Sequence, residues 1–485
     1  MGQGKTRIWI IHTILAAVGF SPAFAQERLP AYPAVIHIHS VISSGDYPIR
    51  RIIRQAQDKG IKILIFTDSL LKHWEYGIFP APNIFKLSVE ENSISGYGIK
   101  RYLDDFKTLK DEFPSMLILG AAEVAPFYWW SGSIFKKNLS LNDLNRHLLV
   151  IGLQKGQDYH YLPVLYNKYL LPQFKDMLAL LIAALLIIPG ILLLKKREKN
   201  KLGFLICAAG ILFLLNNIPF SASRYSPYGG QRQYTPYQEL IDYVIKRNAL
   251  VFWAHPQITE EVSWGRYAKT VNFSTLKYPE ALVLTGGYTG FGVGAKSDFI
   301  LAGREWDEAL NSYCRGDRRE PTWVIAEADY HGGNQIDFIQ NMIFLPELKE
   351  PLLLAALRSG RLYIRYYSQN KCDILLDNFH IRDSSSVSSG ESAFIAGEIT
   401  IKNKPRLFIR GTLTVNPPEE LSIEVIGNGR SLKEFKLSGQ NEFDLEFQDN
   451  SPKVIEGKNY YRLNFFIGNK LVLATNPIFV RIKNG

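Results

Sequence analysis

Residues Ala34–Asp68 read AVIHIHSVISSGDYPIRRIIRQAQDKGIKILIFTD, and this stretch decides the fold class. An apolar run, Ala34-Val-Ile-His-Ile-His39, ends in polar residues. Asp46 and Pro48 then open a helix whose apolar positions Ile49, Ile52, Ile53 and Ala56 recur at helical spacing, and Gly60 closes it. A second apolar run, Ile61-Lys-Ile-Leu-Ile-Phe-Thr-Asp68, follows at once. Strand, amphipathic helix and strand in direct succession predict parallel pairing in an α/β sheet or barrel.

The same texture continues downstream. Ile99, Tyr102, Leu103, Phe106 and Leu109 mark a helix that leads into a strand over Met116–Glu123, and Leu148–Leu153 is another strand. Leu240, Ile241, Val244 and Ile245 mark a helix before the strand Leu250–His255. Ala281–Leu284 and Trp323–Ala326 are further strand candidates, with the helix Trp306–Tyr313 between them. From Cys372 onward the pattern changes to short β-type runs broken by Gly, Asn and Pro: Phe394–Thr400, Arg406–Val415, Leu421–Ile426, Glu442–Phe447, Tyr460–Phe466 and Leu471–Ala474. These predict a C-terminal antiparallel β-sandwich over 372–485, with Ser384–Ser389 as the exposed loop near its start.

Composition narrows the class. The chain has 485 residues, 46% hydrophobic and 21% charged, which suits two to four folded units and excludes a disordered chain. Its three cysteines, without a CxxC pair, exclude a disulfide scaffold and a Cys-based zinc module. Cys314 and Cys372 are open to pairing or to remaining buried thiols, and Cys207 falls in an apolar run. The net charge of +10 comes from 56 basic against 46 acidic residues. Much of the excess sits beside apolar segments, which points to a membrane rather than to nucleic acid.

Three apolar segments define a topology. Lys5 and Arg7, the run Ile8–Phe20 and Ala23-Phe-Ala25 describe an export signal over 1–25, cut after Ala25. Met177–Leu194 and Leu202–Ile218 are uncharged and just long enough to span a bilayer, forming a transmembrane hairpin over 173–220. The turn Lys195–Lys201 carries five basic residues in seven, so loop 195–201 is expected to be cytoplasmic and both soluble parts extracytoplasmic (periplasmic). Tyr161, Tyr166, Tyr169, Tyr225 and Tyr228 flank the hairpin as an interfacial belt would. The alternative is a helical pair buried in a soluble core.

In α/β folds ligands gather at the carboxyl ends of strands. Those ends carry His37, His39, Asp68, Glu123, His255, Asp329 and His331, whereas His147 stands at the start of its strand and joins them only if the chain curls. His37 and His39 are two apart on a strand and so share a face, and Asp329-Tyr-His331 repeats that spacing with a carboxylate. Glu123 has two oxygens with which to bridge two ions, and His147 and His255 add neutral nitrogen donors. This mixture of imidazole and carboxylate suits zinc, manganese or iron.

In these motifs the chain resembles the polymerase-and-histidinol-phosphatase (PHP) superfamily of metal-dependent phosphoesterases. The matching pieces are His37-Ile-His39-Ser40 with Ser43-Ser-Gly-Asp46, Gly60-Ile61 and Phe66-Thr-Asp68, Glu123, His147-Leu-Leu-Val-Ile-Gly, Ala254-His-Pro256 and Asp329-Tyr-His331, in the family's order. The layout of metal domain and β-rich tail is similar to the branch with carbaryl-hydrolase-like proteins. The resemblance implies a distorted seven-stranded (β/α) barrel, in two parts at 30–172 and 221–371 around the hairpin. It also implies a first ion on His37, His39, Glu123 and Asp329 and a second on Glu123, His147 and His255. A third site would lack its usual ligands where Ser44-Gly45 and Ser69 stand, leaving His331, with Asp46 or His73 at the wrong offset.

Two close ions lower the pKa of a shared water and stabilise charge on attacking and leaving oxygens, which would allow in-line hydrolysis of a phosphoester. His331 is the candidate proton donor to the leaving group, and Asp68 joins it as a catalytic candidate in the role of orienting a neighbour. The expected function is thus an exported, membrane-anchored, metal-dependent phosphoesterase, with a lipid-linked or envelope-derived ester as substrate. The alternatives are hydrolysis of a non-phosphate ester or carbamate, and a non-catalytic envelope scaffold. Phe127-Tyr-Trp-Trp130 is open to walling a pocket, seating in headgroups or plain packing. Gly286–Gly294 matches no nucleotide fingerprint and reads as a flexible loop at the site mouth, and Arg315, Arg318 and Arg319 read as a solvated turn.

Overall fold

The structure, a computed structural model, describes residues 29–167, 174–196, 199–217, 224–264, 271–294, 297–366, 373–385, 391–415, 419–452 and 457–483. The expected signal peptide at 1–25, Tyr169, Cys372 with its pairing to Cys314, and most of the 384–389 loop lie outside the described residues.

The opening stretch folds as β1 (Ala31–Ile38), α1 (Ile49–Asp58) and β2 (Ile63–Phe66), and α1 buries Ile49, Ile52, Ile53 and Ala56. A hairpin of β3 (His73–Gly77) and β4 (Lys86–Glu90) follows, then α2 (Ile99–Glu112), which buries Ile99, Tyr102, Phe106 and Leu109. The expected single strand Met116–Glu123 is two, β5 (Leu117–Gly120) and β6 (Ala122–Val124), because they pair in different sheets. Next come β7 (Leu148–Ile151), the long helices α3 (Phe174–Leu194) and α4 (Asn200–Asn217), α5 (Thr235–Ile245) and β8 (Leu250–Trp253). β9 (Gly290–Val293), α6 (Glu305–Arg315), β10 (Trp323–Ala326), β11 (Ile339–Phe344) and β12 (Leu362–Tyr366) complete this part. α6 has Glu305, Asp307 and Glu308 in its first turn and Arg315 in its last, which complements the helix dipole, and it stops at left-handed Gly316.

Parallel pairing holds within β1–β2–β5 and within β8–β9–β10. It fails at β7, which runs antiparallel to both β6 and β8, and at β11, antiparallel to β1. Backbone bonds beyond the regular strands close the gaps between these groups. Ala121 N–H donates to Phe66 O and Leu70 N–H to Glu123 O, while Ala328 N–H donates to Ile36 O and His39 N–H to Tyr330 O.

Two sequence expectations are corrected. Ala281–Leu284 is one helical turn, not a strand, since its apolar residues bury only Ala281 and Leu282 against the core. Gly286–Gly294 is no flexible mouth loop, because Gly290–Val293 is the fully buried strand β9, paired on both sides with β8 and β10. Glycine is required there by close approach: a Cβ on Gly290 would lie 2.2 Å from the Trp323 carbonyl oxygen, and one on Gly292 would lie 2.2 Å from Glu327 Oε2.

The hairpin α3–α4 is not a buried core pair. Its candidate spans, Asp176–Leu194 and Asn200–Asn217, are only 11% and 17% buried, with Leu185, Leu192, Phe204 and Leu205 on the outside. The buried residues of α4 are Gly203, Cys207 and Gly210, a small-residue stripe at helical spacing. Such a stripe lets two helices approach closely without a side-chain ridge, as it does in lipid. A Cβ on Gly203 would fall 2.8 Å from the Gly190 carbonyl oxygen.

C-terminal strands form two facing sheets around a second apolar cluster that includes Ile381, Leu407, Ile423, Val425, Leu463 and Val480. One sheet consists of Ser392–Phe394, Ile374–Asp383, Pro405–Leu413 and Glu442–Gln448, all antiparallel. The other departs from the expected pattern at Glu398–Ile401, which runs parallel to Ile478–Ile482. It also continues past its own residues: Lys470–Thr475 pairs with β12, and β12 with β11. Tyr363, Met342 and Phe344 thereby enter the C-terminal cluster.

Candidate metal centre

The candidate ligands leave their strands at one end of the molecule. His37 and His39 lie at the end of β1, Glu123 in β6, His255 just after β8, and Asp329 and His331 just after β10. His147 directly precedes β7 and needs no curl of the chain. Because β7 is antiparallel to β6 and β8, its beginning lies beside their carboxyl ends, and Ala254 N–H donates to the His147 carbonyl.

His37 and His39 meet, with ring centroids 5.1 Å apart, but strand alternation alone does not bring them together. The β1–β2 register shifts between Ile36 and Ile38, and His37 has φ of 71°. His255 and Asp329 also have positive φ, 33° and 43°. Each non-glycine residue in this region costs about 1–3 kcal/mol, and such strain collects where side chains are aimed at a common point.

That point is Glu123. Its Oε1 lies 2.6 Å from His147 Nδ1, 3.1 Å from His37 Nε2 and 3.5 Å from His255 Nε2. Its Oε2 accepts from Ser69 Oγ at 3.2 Å and lies 3.7 Å from His39 Nε2. Asp329 Oδ1 makes a second focus, 3.5 Å from His37 Nε2, 3.6 Å from His39 Nε2 and 3.1 Å from His331 Nε2. His37, His39, Glu123 and His255 are buried, whereas His147 and His331 are half-buried and Asp329 opens to the cavity.

Among the described residues, two groups have donor atoms close enough to hold an ion, His37–Glu123–His255 and His37–His39–Asp329. His37 belongs to both, whereas the sequence resemblance assigns it to the first ion alone. The donors are nitrogen and carboxylate oxygen, a set that suits zinc, manganese or iron.

Electrostatics supports the fit. Burial would raise the Glu123 carboxyl, but His147 and His39 outweigh it and hold Glu123 well below the usual carboxylate range. Burial likewise pulls His37 and His255 down. Asp329, Glu123 and Glu327 reverse this and raise both imidazoles. His39 goes the other way, pushed down to about 3 by its burial. A pocket of carboxylates that draws protons onto buried imidazoles is equally a pocket that favours divalent cations.

Two supports behind the candidate ligands escaped the sequence reading. Glu327, buried, sits with Oε2 3.2 Å from His37 Nδ1, an arrangement that fixes the imidazole with Nε2 toward Glu123. The signal was present in the alternation Glu327-Ala-Asp329-Tyr-His331. Ser43 Oγ donates to Asp68 Oδ1 at 2.7 Å and lies 3.1 Å from His39 Nδ1, which does the same for His39.

Asp68 lies behind the cluster, where it meets Ser40 and Ser43 rather than the cavity. It is fully buried, accepts from Ser40 N–H, Ser40 Oγ and Ser43 Oγ, and does not line the cavity. His331 does line it, stacked on His39 at 4.4 Å, with Nδ1 3.2 Å from the Ser44 carbonyl. His73 faces the same cavity but lies 3.4 Å from Glu75 and stacks edge-on to Tyr166. Asp46 is held by its backbone, with N–H donating to His331 O.

The cavity of about 320 Å³ is lined further by Lys72, Trp74, Asn145 and Glu260. Phe127, Tyr128 and Trp130 do not reach it. They are buried packing residues, with Trp130 Nε1–H donating to Glu75 O.

No protein-family model matches the chain, and no curated protein matches it. Solved structures do. A two-domain protein from Bacteroides vulgatus, described as containing a predicted PHP-like metal-dependent phosphoesterase, is similar over 93% of this chain and 95% of its own, at 12% identity and a TM-score of 0.36. A protein from Bifidobacterium adolescentis described as a candidate metal-dependent phosphoesterase is similar over 63% of this chain and 90% of its own, at 14% identity and a TM-score of 0.28. The CARDB domain of a Pyrococcus furiosus protein is similar over 23% of this chain and 97% of that domain, at 14% identity and a TM-score of 0.17. None of the three descriptions names a carbaryl hydrolase.

Proposed function

We propose that the chain is a membrane-anchored, metal-dependent hydrolase of the PHP type that cleaves a phosphoester. The observation that carries this reading is the convergence of His37, His39, His147 and His255 on the two oxygens of Glu123. The strand ring β1–β2–β5/β6–β7–β8–β9–β10, returned to β1 by Ala328 and Tyr330, supports the distorted barrel. The lipid-type packing of α3 and α4 and the basic turn between them support a membrane hairpin, with loop 195–201 cytoplasmic and both soluble parts outside.

His37, His39, Glu123 and Asp329 would hold one divalent ion, and Glu123, His147 and His255 a second. Such ions supply a water of lowered pKa and neutralise charge on the attacking and leaving oxygens. Glu327 and the Ser43–Asp68 pair keep the two β1 imidazoles turned with Nε2 inward. His331 is placed as the proton carrier by geometry: it lines the cavity, with Nε2 3.1 Å from Asp329 Oδ1 and Nδ1 3.2 Å from the Ser44 carbonyl. A protonated Nε2 at the cavity wall can donate to a departing alkoxide. The membrane hairpin favours a lipid-linked or envelope-derived ester over a free cytosolic one.

The test is metal analysis of the full chain in detergent, together with hydrolysis of aryl phosphodiester, phosphomonoester, carboxylic ester and carbamate probes. Stoichiometric metal and a preference for a phosphate probe support the reading. Metal with turnover of the ester or carbamate alone replaces phosphate as the substrate class, and absence of both metal and turnover leaves a scaffold.

A further inference from the structure

The eight residues joining β3 to β4, Ile78-Phe-Pro-Ala-Pro-Asn-Ile-Phe85, carry no charge. Ile78, Phe79, Ile84 and Phe85 nevertheless stay 39%, 89%, 37% and 58% exposed. A contiguous apolar patch of this kind marks a surface that meets something other than water.

What it meets follows from its neighbours. Asn83 N–H donates to Asn216 Oδ1 at 3.0 Å, and Asn83 Nδ2 donates to the Asn216 carbonyl at 2.5 Å. Asn216 is in the last turn of α4, at the end away from the basic turn 195–201. Gly77 N–H donates at 2.6 Å to the hydroxyl of Tyr228, which follows that helix in sequence. The uncharged loop is thus bonded to the outer end of a membrane helix, level with an exposed tyrosine.

We infer that loop 78–85 is a second bilayer contact, seated at the boundary between headgroups and acyl chains, with lipid as its occupant. The inference rests on α3 and α4 spanning a membrane. It adds a consequence for the centre. The same hairpin begins at His73 and Trp74, which line the cavity, and β3 reaches from there to Gly77 over about 13 Å at strand rise. The loop would therefore hold the cavity mouth at a set height and angle over the membrane, where a helical hairpin alone would act as a swivel. Aromatic and branched apolar side chains suit that boundary layer, and the lack of charge removes the penalty of entering it.

The experiment places an environment-sensitive fluorophore on the full chain in phosphatidylethanolamine–phosphatidylglycerol vesicles. Cys207, Cys314 and Cys372 are replaced by Ala, and single cysteines are introduced as Phe79→Cys or Phe85→Cys, with Leu185→Cys in α3 and Lys107→Cys on α2 as references. The two loop positions are exposed, so neither label disturbs the core, and each checks the other. Nitroxide-bearing lipids are expected to quench the labels at 79 and 85 by half or more, while iodide quenches them at least threefold less than the label at 107. Loop labels that behave as position 107 does, while position 185 is quenched by lipid, overturn the inference and leave the membrane hairpin standing. Protection from both quenchers also overturns it, since that result means a protein occupant. Loss of lipid quenching at 185 refutes the hairpin itself.

Discussion

A single added methyl group should weaken metal binding as strongly as removing a carboxylate. Gly292 lies in β9 directly against Glu327: a Cβ there would stand 2.2 Å from Oε2 and 2.6 Å from Cδ, and the third-nearest heavy atom, at 3.1 Å, is also part of Glu327. Gly292→Ala must therefore push the carboxylate off His37 Nδ1, now 3.2 Å away. Loss of a carboxylate behind a metal-bound histidine typically costs 10–100-fold in affinity, or about 1.4–2.7 kcal/mol. Glu327→Ala should fall in the same range, and Glu327→Gln, which keeps an acceptor without its charge, at the mild end. The decisive variant is the double one. With Glu327 truncated the new methyl has no contact closer than 3.1 Å, so Gly292→Ala should add almost nothing to Glu327→Ala. Affinity is read by competition with a chromophoric chelator and stoichiometry by elemental analysis. Wild-type affinity in Gly292→Ala, or additive losses in the double variant, would refute the claim that the methyl acts by displacing Glu327 from behind the centre.

Glu123→Gln should lower metal content and hydrolysis together, because one neutral oxygen cannot serve the imidazoles that converge on it; retained activity would remove its bridging role. Arg462, fully buried in the C-terminal sheet, donates to both oxygens of Asp307 in α6 at 2.8 and 2.7 Å. Arg462→Met should cost about 3–5 kcal/mol in urea unfolding by leaving that buried carboxylate without its cation, and Asp307→Asn in the same chain, which keeps an acceptor oxygen for Tyr460 or Gly303, should recover part of the loss. His380 is pushed down to about 4, first by burial and then by Arg382 and Arg410, while its ring stacks on Phe408 at 4.8 Å. Since the folded value lies below the unfolded one of about 6.5, the unfolded chain binds the extra proton, and stability present above pH 6.5 is lost as pH falls toward 4. The loss is at most about 3 kcal/mol. Melting curves of His380→Phe between pH 7 and 4 should be flatter than wild type, and equal slopes would dismiss this residue as the cause.

Much of this molecule was legible in one dimension. The buried stripe of α1 is the set of residues whose spacing announced it, and α2, α5 and α6 followed the same rule. Helical periodicity is a local property, so nothing distant is needed to read it. The residues that gather around Glu123 could be picked out because strands deliver side chains at their carboxyl ends, and the apolar hairpin with its basic turn stood out by length and charge. Tertiary structure alone decided the rest. β7 reads like any buried strand, yet its direction, which brings His147 to Glu123, depends on which strands lie beside it. Gly290 and Gly292 looked like loop residues because a glycine records only that a side chain is missing. That Trp323 and Glu327 occupy the vacated space is a fact about segments far apart in the chain. The sheet that passes from β1 through β12 into the C-terminal strands is likewise invisible to pattern, because a backbone edge carries no sequence mark of its partner. Short-range periodicity reports which face of an element avoids water; which surface it finds there is settled only when the whole chain has packed.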